Sequence, residues 1–223
     1  MIHYVEQCSI LLRYGDVDIK LDNLDRVQTY HLMTQAIVPR PIAWVLSDNG
    51  PGATGLDRWH LAPFSYFNGV SSNPAQLMFS IGHGMDARDL KDTYVNLRAR
   101  PHFVLHIPSV PDAADVVASA RPLPHGEGEI SALDLDVAWP PGWPVPRLAA
   151  SRLAMACTVD QMVDVVAGLQ QVVVIAHVTD LWVHDDVTVE DAEGNPRIDA
   201  VSLDPLARLG GGLYAAIGTP FKP

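Results

Sequence analysis

The sequence predicts a mainly β fold, a closed β-barrel with a few helices. Its 223 residues suit one domain with a sizeable buried core. Short segments rich in β-branched and aromatic residues recur along the chain, each bounded by Pro, Gly, Asn or Asp, as strands usually are. Segments of helical spacing are fewer. Many short strands with few helices are typical of a closed barrel.

Two regions are predicted, an N-terminal extension of residues 1–20 and a domain of residues 21–223. The extension mixes charged residues with short apolar runs. It suits either an added hairpin or a mobile arm that covers a partner subunit, and both interpretations stay open.

Helices are predicted over three stretches. The first is Leu24 to Gln35, with Asp22 or Asn23 as its N-cap. The other two are Thr93 to Ala99 and Asp112 to Ala120. The last of these opens with aspartates, which suit the positive end of a helix dipole.

Four segments are predicted as strands from their β-branched and aromatic content: Ile42 to Leu46, Leu77 to Ile81, Phe103 to Ile107 and Val172 to Val178. The segment from Ala138 to Pro146 contains four prolines and two tryptophans. Because proline donates no backbone hydrogen bond, this segment cannot form an interior strand or helix. It is predicted to be a rigid connector.

The charge balance argues against two classes of partner. Fifteen basic and 26 acidic residues give a formal net charge of −11. Nucleic acids and anionic membrane surfaces attract a basic protein face, so neither is expected as a partner. An anionic ligand must therefore be held by cations that are placed locally.

The location is predicted from the cysteines and the apolar segments. Cys8 and Cys157 are too few for a disulfide framework, and the chain does not open with a leader-like segment, so we expect a cytoplasmic protein. The longest apolar stretch, Val172 to Val178, is too short to span a bilayer. Membrane anchoring is not expected.

A candidate anion site lies at Lys91-Asp92-Thr93. If a helix starts near Thr93, its first backbone N–H groups and its positive dipole end face an anion. Lys91 and Arg88 add positive charge, and Thr93 adds a hydroxyl. In the alternative interpretation, Asp92 or Thr93 only caps the helix and both cations are solvated.

Several motifs follow one another in a fixed order: Val38-Pro39-Arg40-Pro41-Ile42-Ala43-Trp44-Val45, Ala62-Pro63-Phe64-Ser65-Tyr66-Phe67-Asn68, Lys91-Asp92-Thr93 with Asn96, Gly126-Glu127-Gly128-Glu129, Ser151, Met155-Ala156-Cys157, and Leu203 to Gly211 with Tyr214. In this order they resemble the flavin reductase-like family. That family consists of FMN-binding split barrels and includes flavoredoxin and the reductase components of two-component monooxygenases. The resemblance extends from Leu24 to Tyr214.

The resemblance implies a split β-barrel that binds FMN, with FAD as an alternative, and that takes electrons from NADH or NADPH. It also implies a homodimer, with FMN near the subunit boundary, and a partner monooxygenase or another electron acceptor. The predicted cofactor-binding residues are Arg40, Ile42, Ala62, Pro63, Phe64, Ser65, Tyr66, Phe67, Asn68, Ser80, Arg88, Lys91, Asp92, Thr93 and Asn96.

The segment from Ala62 to Asn68 is predicted to border the flavin ring. An isoalloxazine is flat and mostly apolar, with donors and acceptors along one edge, so it needs apolar flanks and a few polar groups. Ser65 and Asn68 supply polar groups between aromatic residues. Without the resemblance, the same segment suits an ordinary core turn in which Phe64 and Phe67 pack inward.

Arg40 lies between two prolines, so its backbone is held extended and its side chain has a stiff support. Three partners are considered: the flavin, the phosphates of the nicotinamide cofactor, and an acidic residue across the subunit boundary.

Trp59-His60 stands where the family usually has an asparagine before Leu-Ala-Pro-Phe-Ser. Either His60 replaces that asparagine as a donor, or the substrate pocket differs here; an ordinary histidine titrates near neutral pH. Glu127 and Glu129 match the family's glutamate position and are interpreted as structural.

Other candidate sites are not supported. On a strand, His102 and His106 are separated by roughly 13 Å, too far to share one metal ion. His184-Asp185-Asp186 is interpreted as solvated surface, and Cys157 as a buried, inert thiol. Ser65 lacks the glycines of a nucleophile elbow. No metal site is predicted, and no catalytic side chain is assigned.

The predicted function is an NAD(P)H-dependent flavin reductase that passes electrons to an acceptor. The alternative is a flavin-binding electron carrier without reductase turnover. A barrel that has lost flavin binding is a third hypothesis, which the Trp59-His60 difference keeps open.

Overall fold

The computed structural model describes residues 15–82, 90–124, 127–166 and 171–223. Its strands are β1 (Ala43–Asp48), β2 (Trp59–Phe64), β3 (Phe67–Ser72), β4 (Ala75–Gly82), β5 (His102–His106), β6 (Val137–Ala138), β7 (Arg147–Leu148), β8 (Leu153–Val166), β9 (Gln171–Val183), β10 (Thr188–Glu190), β11 (Pro196–Ile198), β12 (Ala207–Arg208) and β13 (Tyr214–Ala215). Seven of them form one antiparallel sheet in the order β2-β1-β5-β8-β9-β4-β3. The other six pair as β6-β7, β10-β11 and β12-β13.

The large sheet curls until its two ends approach each other. Phe64, the last residue of β2, packs against Phe79 on β4 with 5.1 Å between ring centroids. Phe79 in turn contacts Phe103 on β5 at 5.7 Å. The sheet therefore encloses an apolar interior, and the prediction of a mainly β barrel is confirmed.

The helices lie outside the sheet: α1 (Arg26–Ala36), α2 (Asp92–Ala99), α3 (Ala113–Ala118), α4 (Glu129–Ala132) and α5 (Ala200–Leu203). Four 3₁₀ turns accompany them: Leu21–Asn23, Gly55–Arg58, Val110–Asp112 and Asp185–Val187. Within the described residues, no helix is long and apolar enough to cross a membrane.

Strand β1 is buried along its whole length because both of its faces are covered. Ala43 and Val45 point into the barrel, while Trp44 and Leu46 point outward. On the outer side they meet Ile130 of α4, together with residues of α3 and of the proline-rich connector. Side chains alternate between the two faces of a strand, so one strand contributes to two cores.

The helix positions agree with the sequence except at their ends. The first helix begins at Arg26, and its N-cap is Asp25, whose carboxylate accepts from the Gln28 N–H while the Gln28 side chain caps in return. The prediction of Asp22 or Asn23 as the cap was therefore wrong, because both residues lie in the preceding 3₁₀ turn. The third predicted helix, Asp112 to Ala120, is shorter in the structure: Asp112 ends the 3₁₀ turn Val110–Asp112, and α3 covers only Ala113–Ala118.

The sequence predicted neither the strands β2, β3 and β8 of the large sheet nor the six strands of the small sheets. The longest of these, β8, has 14 residues and pairs with β9 through three register shifts, between Ala156 and Cys157, between Val159 and Gln161, and between Asp164 and Val166. Each bulge moves an extra residue to the other face, so the alternation that identifies a strand is lost.

The proline-rich connector is a loop, as predicted, apart from its first residue. Ala138 closes the short strand β6, which pairs with β7 just beyond the connector. The connector thus begins and ends at one small sheet. Of the N-terminal extension, only residues 15–20 are among the described residues, so its role stays a prediction.

Candidate functional site

A cavity of about 740 Å³ lies between β2, the start of α2, the segment that follows α3, and α4. The lining residues on β2 and α2 are His60, Ala62, Pro63, Phe64, Leu90, Lys91, Asp92, Thr93 and Val95. The opposite side consists of Ser119, Ala120, Arg121, Pro122, Leu123 and Glu129. Pockets for small ligands usually measure about 300–1,000 Å³.

The start of α2 forms one end of the cavity, where Lys91 and Asp92 both belong to the lining. Lys91 is the N-cap residue, and its carbonyl accepts from the N–H groups of Tyr94 and Val95. The Lys91 side chain itself makes no capping hydrogen bond to the helix. Because the first N–H groups of a helix have no acceptor within it, this end has the positive potential that an anion needs. Arg88, which was predicted to add charge here, lies outside the described residues.

A buried chain of hydrogen bonds lies behind this end. His60 on β2 places Nε2 at 2.9 Å from Thr93 Oγ1 and Nδ1 at 2.9 Å from Glu129 Oε2. The same glutamate oxygen accepts from the Leu61 N–H at 2.8 Å. Three separate elements are joined through one imidazole ring. The interpretation of Glu129 as structural was thus incomplete, because its carboxylate also holds a residue of the cavity.

The apolar wall of the cavity is the second half of β2. Ala62, Pro63 and Phe64 line it, and Phe64 is fixed from behind by Phe79. The strand pairs with β1 along its whole length, so this wall is supported by the most deeply buried strand of the sheet. A flat apolar group has a rigid surface to rest on here.

The rest of the predicted ring-binding segment lies away from this cavity. Ser65 and Tyr66 form the bend between β2 and β3, and Phe67 packs against the barrel interior. Asn68 is exposed, and its side-chain oxygen accepts from the Gly69 N–H. Burial and the nearby Tyr30 raise the pKa of Tyr66, although Arg40 opposes the shift.

Arg40 is buried and directed toward backbone carbonyl groups. Its guanidinium donates to the carbonyl oxygens of Thr34, Ile37 and Leu209, and its Nε lies 3.4 Å from Ser65 Oγ. These contacts tie the end of α1 to the segment that follows β12. A contact of Arg40 with the flavin, with the nicotinamide phosphates or with an acidic residue of a partner subunit stays a prediction.

Three further predicted residues also lie outside the cavity lining. Ile42 packs in the outer core, and the Ser80 hydroxyl accepts from the Gln171 side chain. Asn96 lies on the inner face of α2, where its amide donates to Ser47 Oγ at 3.1 Å and to Asn49 Oδ1 at 2.9 Å. Asn96 therefore fixes α2 to the end of β1, and so orients the helix start that faces the cavity.

Ion pairs and hydrogen bonds around Asp48 also hold α2 in place. Arg58 binds Asp48 at 2.9 Å, and Arg100 donates to the Asp48 carbonyl oxygen. Burial alone raises the pKa of Asp48, but the hydrogen bonds from Arg58 and from the Gly50 N–H outweigh it and lower the pKa overall. Asp48 thus stays ionised and holds the loop between β1 and β2 against α2.

The other residues that the sequence raised are not part of a site. His102 and His106 occupy the two ends of β5, as predicted, and among the described residues no cluster suitable for a metal ion is found. Burial raises the pKa of the Cys157 thiol, which agrees with an inert side chain. His184 is exposed and bonds to Asp186, as expected for solvated surface.

The residues of the cavity fit a flavin nucleotide. One end offers Lys91, the Thr93 hydroxyl and a helix N-terminus, which is the chemistry that a phosphate requires. The other end offers the apolar wall of β2, which suits a flat ring. The sequence raised His60 as a possible donor at the pocket, but not its links to Thr93 and Glu129, and no local pattern indicated the segment from Ser119 to Leu123.

The family model described as "Flavin reductase like domain" matches residues 34–205. The chain belongs to the flavin reductase-like family. Two solved structures are similar over most of their length. Component B of nitrilotriacetate monooxygenase from Bacillus cereus has a TM-score of 0.83 and 28% identity, with 95% of this chain and 100% of that chain covered. The 2-nitrobenzoate 2-nitroreductase NbaA from Pseudomonas fluorescens has a TM-score of 0.79 and 25% identity, with 93% and 95% covered.

A third structure establishes the type of barrel. A protein with a split barrel domain from Shewanella frigidimarina NCIMB 400 has a TM-score of 0.74 at 14% identity, and covers 91% of this chain and 94% of its own. This flavin reductase-like chain therefore has the split-barrel fold that its motifs predicted. Membership of the family implies flavin binding and makes the cavity beside α2 the candidate flavin site.

Proposed function

We propose that this protein is an FMN-binding oxidoreductase that uses NADH or NADPH as electron donor. The observation that carries the proposal is the cavity itself, in which a cationic helix start and an apolar strand wall lie side by side in a member of the flavin reductase-like family. When bound, the flavin supplies the redox chemistry, because it accepts a hydride and releases electrons to an acceptor.

Different residues are proposed to bind the phosphate and the ring of the flavin. Lys91, Thr93 and the start of α2 hold the phosphate, and Pro63 and Phe64 seat the ring. The preference for FMN over a flavin without phosphate therefore comes from the α2 end. Hydride transfer needs no general acid or base, so positioning and exclusion of water are the main contributions of the protein.

The acceptor is proposed from the two similar proteins. One is a component of a monooxygenase and the other is a nitroreductase. Both names belong to redox enzymes. We propose that this protein passes electrons on to a partner monooxygenase or to a small acceptor.

The protein is also proposed to form a homodimer. An apolar groove of about 510 Å³ crosses β3, β4, β8 and β9, with Phe67, Leu77, Met155, Leu181 and Ile198 among its lining residues. Leu181 is 52% exposed there. Helix α1 also exposes Val27, Tyr30 and Met33. Large exposed apolar surfaces of this kind favour association with a second copy.

The reductase activity is tested by anaerobic reduction. The protein is loaded with FMN and mixed with NADH or NADPH in separate experiments without oxygen. We expect at least one donor to bleach the flavin absorbance within the time of a catalytic turnover. If FMN binds but neither donor bleaches it, the reductase proposal is wrong, and the protein is a flavin carrier.

A further inference from the structure

The buried chain Glu129, His60 and Thr93 lies directly behind the proposed phosphate end of the cavity. The His60 and Glu129 side chains are 10% and 5% exposed, and Thr93 is 1% exposed. An ordinary core position does not require a histidine with hydrogen bonds to a carboxylate on one side and to a hydroxyl on the other. The inference below rests on the proposed function, because it assigns a role at that phosphate end.

Glu129 determines which nitrogen of His60 always carries a proton. Its Oε2 accepts from the Leu61 N–H and lies 2.9 Å from His60 Nδ1. An ionised carboxylate only accepts hydrogen bonds, so Nδ1 is protonated in the neutral and in the charged imidazole. The nitrogen that gains or loses a proton is therefore Nε2, which faces Thr93.

The charge of His60 then decides the direction of the hydrogen bond to Thr93. With neutral His60, Nε2 accepts the single hydroxyl hydrogen of Thr93, and only lone pairs of Oγ1 are left for the cavity. With charged His60, Nε2 donates to Oγ1, and the Thr93 hydroxyl hydrogen is released. In that state Thr93 can donate to an anion at the start of α2.

We propose that His60 is a positioning residue that couples binding of the flavin phosphate to the uptake of one proton. Phosphate binding is stronger when His60 is charged, since Thr93 then donates instead of presenting lone pairs. By thermodynamic linkage, a bound phosphate favours the charged imidazole by the same factor. His60 thereby gives the phosphate site a dependence on pH.

The charged groups around His60 are of both signs. Glu129 on α4 is the ionisable group at hydrogen-bond distance from the ring within the described part of the chain. Lys91 and Asp92 of the α2 start and Arg121 after α3 line the same cavity. Across the sheet, Ser47 of β1 stands opposite His60.

More distant carboxylates are already engaged. Asp48, next to Ser47, is held by Arg58 and Arg100. Asp57 of the turn before β2 lies against Gly128, whose N–H points to its carboxylate at 3.4 Å. The proton on His60 is thus balanced mainly by Glu129.

The experiment measures the dissociation constants of FMN and of riboflavin from about pH 6 to about pH 8. Riboflavin lacks the phosphate, so the ratio of the two constants isolates the contribution of the phosphate site. In the unmodified protein we expect the preference for FMN to fall by about tenfold as the pH rises, a usual size for coupling between two sites. The second ionisation of the phosphate, near pH 6, acts in the opposite direction, because it adds negative charge to FMN.

Two variants and one control test the role of His60. His60→Gln keeps a polar side chain that does not titrate, and Thr93→Val removes the hydroxyl at nearly constant shape. We expect both to lose the fall in FMN preference with pH. The matched control is His102→Gln, which removes a surface histidine whose Nδ1 lies 3.0 Å from Thr158 Oγ1. This control should keep the profile of the unmodified protein.

A measurement on the unmodified protein provides a second test that does not depend on the folding of a variant. Nuclear magnetic resonance of the His60 ring follows its titration in the free protein, with FMN and with riboflavin. FMN, but not riboflavin, should move the titration of His60 to higher pH. An identical titration with both flavins overturns the proposal.

The outcomes also separate this inference from the proposed function. If Lys91→Ala abolishes the preference for FMN, but His60→Gln keeps the pH profile of the unmodified protein, the phosphate site stands and the coupling through His60 is wrong. If FMN and riboflavin bind equally to the unmodified protein, or neither binds, the phosphate site and the coupling are both wrong.

Discussion

Two buried histidines in this protein have different surroundings and therefore different chemistry. His60 lies between a carboxylate and a hydroxyl at the wall of a cavity. His106 lies in the core, where Nδ1 donates to the Trp44 carbonyl oxygen and Nε2 accepts from the Leu148 N–H. The second arrangement uses both nitrogens of a neutral ring and leaves no place for another proton. His106 thus joins β1 to β7 as a neutral polar bridge.

The pKa of His106 predicts how acid affects stability. Burial lowers this pKa from 6.5 to about 4, although the Trp44 carbonyl opposes the shift. Between these two pH values the unfolded chain binds a proton that the folded chain does not, so stability falls as the pH falls through this window. The full loss corresponds to about 3 kcal/mol, and below about pH 4 this contribution stays constant.

The measurement is urea unfolding of the unmodified protein and of His106→Gln between the same two pH values. The variant should show a smaller decrease in the free energy of unfolding toward acid, by about 3 kcal/mol at most. His102→Gln, at the exposed end of the same strand, is the control. Equal pH slopes for all three proteins would show that His106 is not the group responsible.

At the scale of elements, the site depends on how short helices are attached to the sheet. Helix α4 has only four residues, yet it supplies Glu129 to His60 and Ile130 to the outer core. Its N-cap, Gly128, packs directly on the backbone of Asp57. An ideal Cβ at Gly128 would lie 2.7 Å from Asp57 Cα and 2.9 Å from the Asp57 carbonyl oxygen. The position therefore requires glycine for reasons of space.

We accordingly expect Gly128→Ala to separate α4 from the turn before β2. The φ angle of Gly128 is −107°, so an alanine is not strained in its backbone and the effect comes from the collision alone. Overpacking of this kind usually costs about 1–3 kcal/mol. Thermal and urea unfolding measure the loss. Gly52→Ala, where nothing lies within 4 Å of the added carbon, should leave stability nearly unchanged.

At the scale of the whole molecule, the apolar groove across β3, β4, β8 and β9 is the surface proposed to contact a second copy of the chain. Its location on the long β8–β9 hairpin means that one surface substitution can alter it without disturbing the barrel interior. Leu181 is suited to this test because more than half of its surface is exposed. Its neighbour in sequence, Asp180, also lines the groove, so a charge is tolerated nearby in the folded chain.

Light scattering should give a mass of about twice the 24.3 kDa of one chain. Leu181→Lys should shift the protein toward the monomer, because taking an ammonium group out of water costs free energy even where Asp180 lies nearby. Val117→Lys, which changes a residue of similar exposure on α3, is the control and should stay dimeric. A monomeric unmodified protein, or a Leu181→Lys variant that stays fully dimeric, would contradict the proposed interface.

The predictability of the elements followed the regularity of their local pattern. Strands β1, β4, β5 and β9 were found from compact runs of β-branched and aromatic residues, with errors only at their ends. Strand β8 was missed because its bulges break the alternation of side chains. Asp25 was missed as a cap because Asp22 and Asn23 offer the same chemistry nearby, and only the path of the chain selects one of them.

The sequence by itself determined the fold class, the family and the location of a candidate anion site at Lys91 to Thr93. These depend on motifs whose residues are close together along the chain, so local patterns carry the information. The tertiary structure decided which side chains meet. His60 and Thr93 are 33 residues apart, and Arg40 turns to backbone carbonyl groups that no motif specifies. Hydrogen bonds depend on distance and direction to within a fraction of an ångström, and only the packing of the sheet against α2 and α4 fixes these for His60.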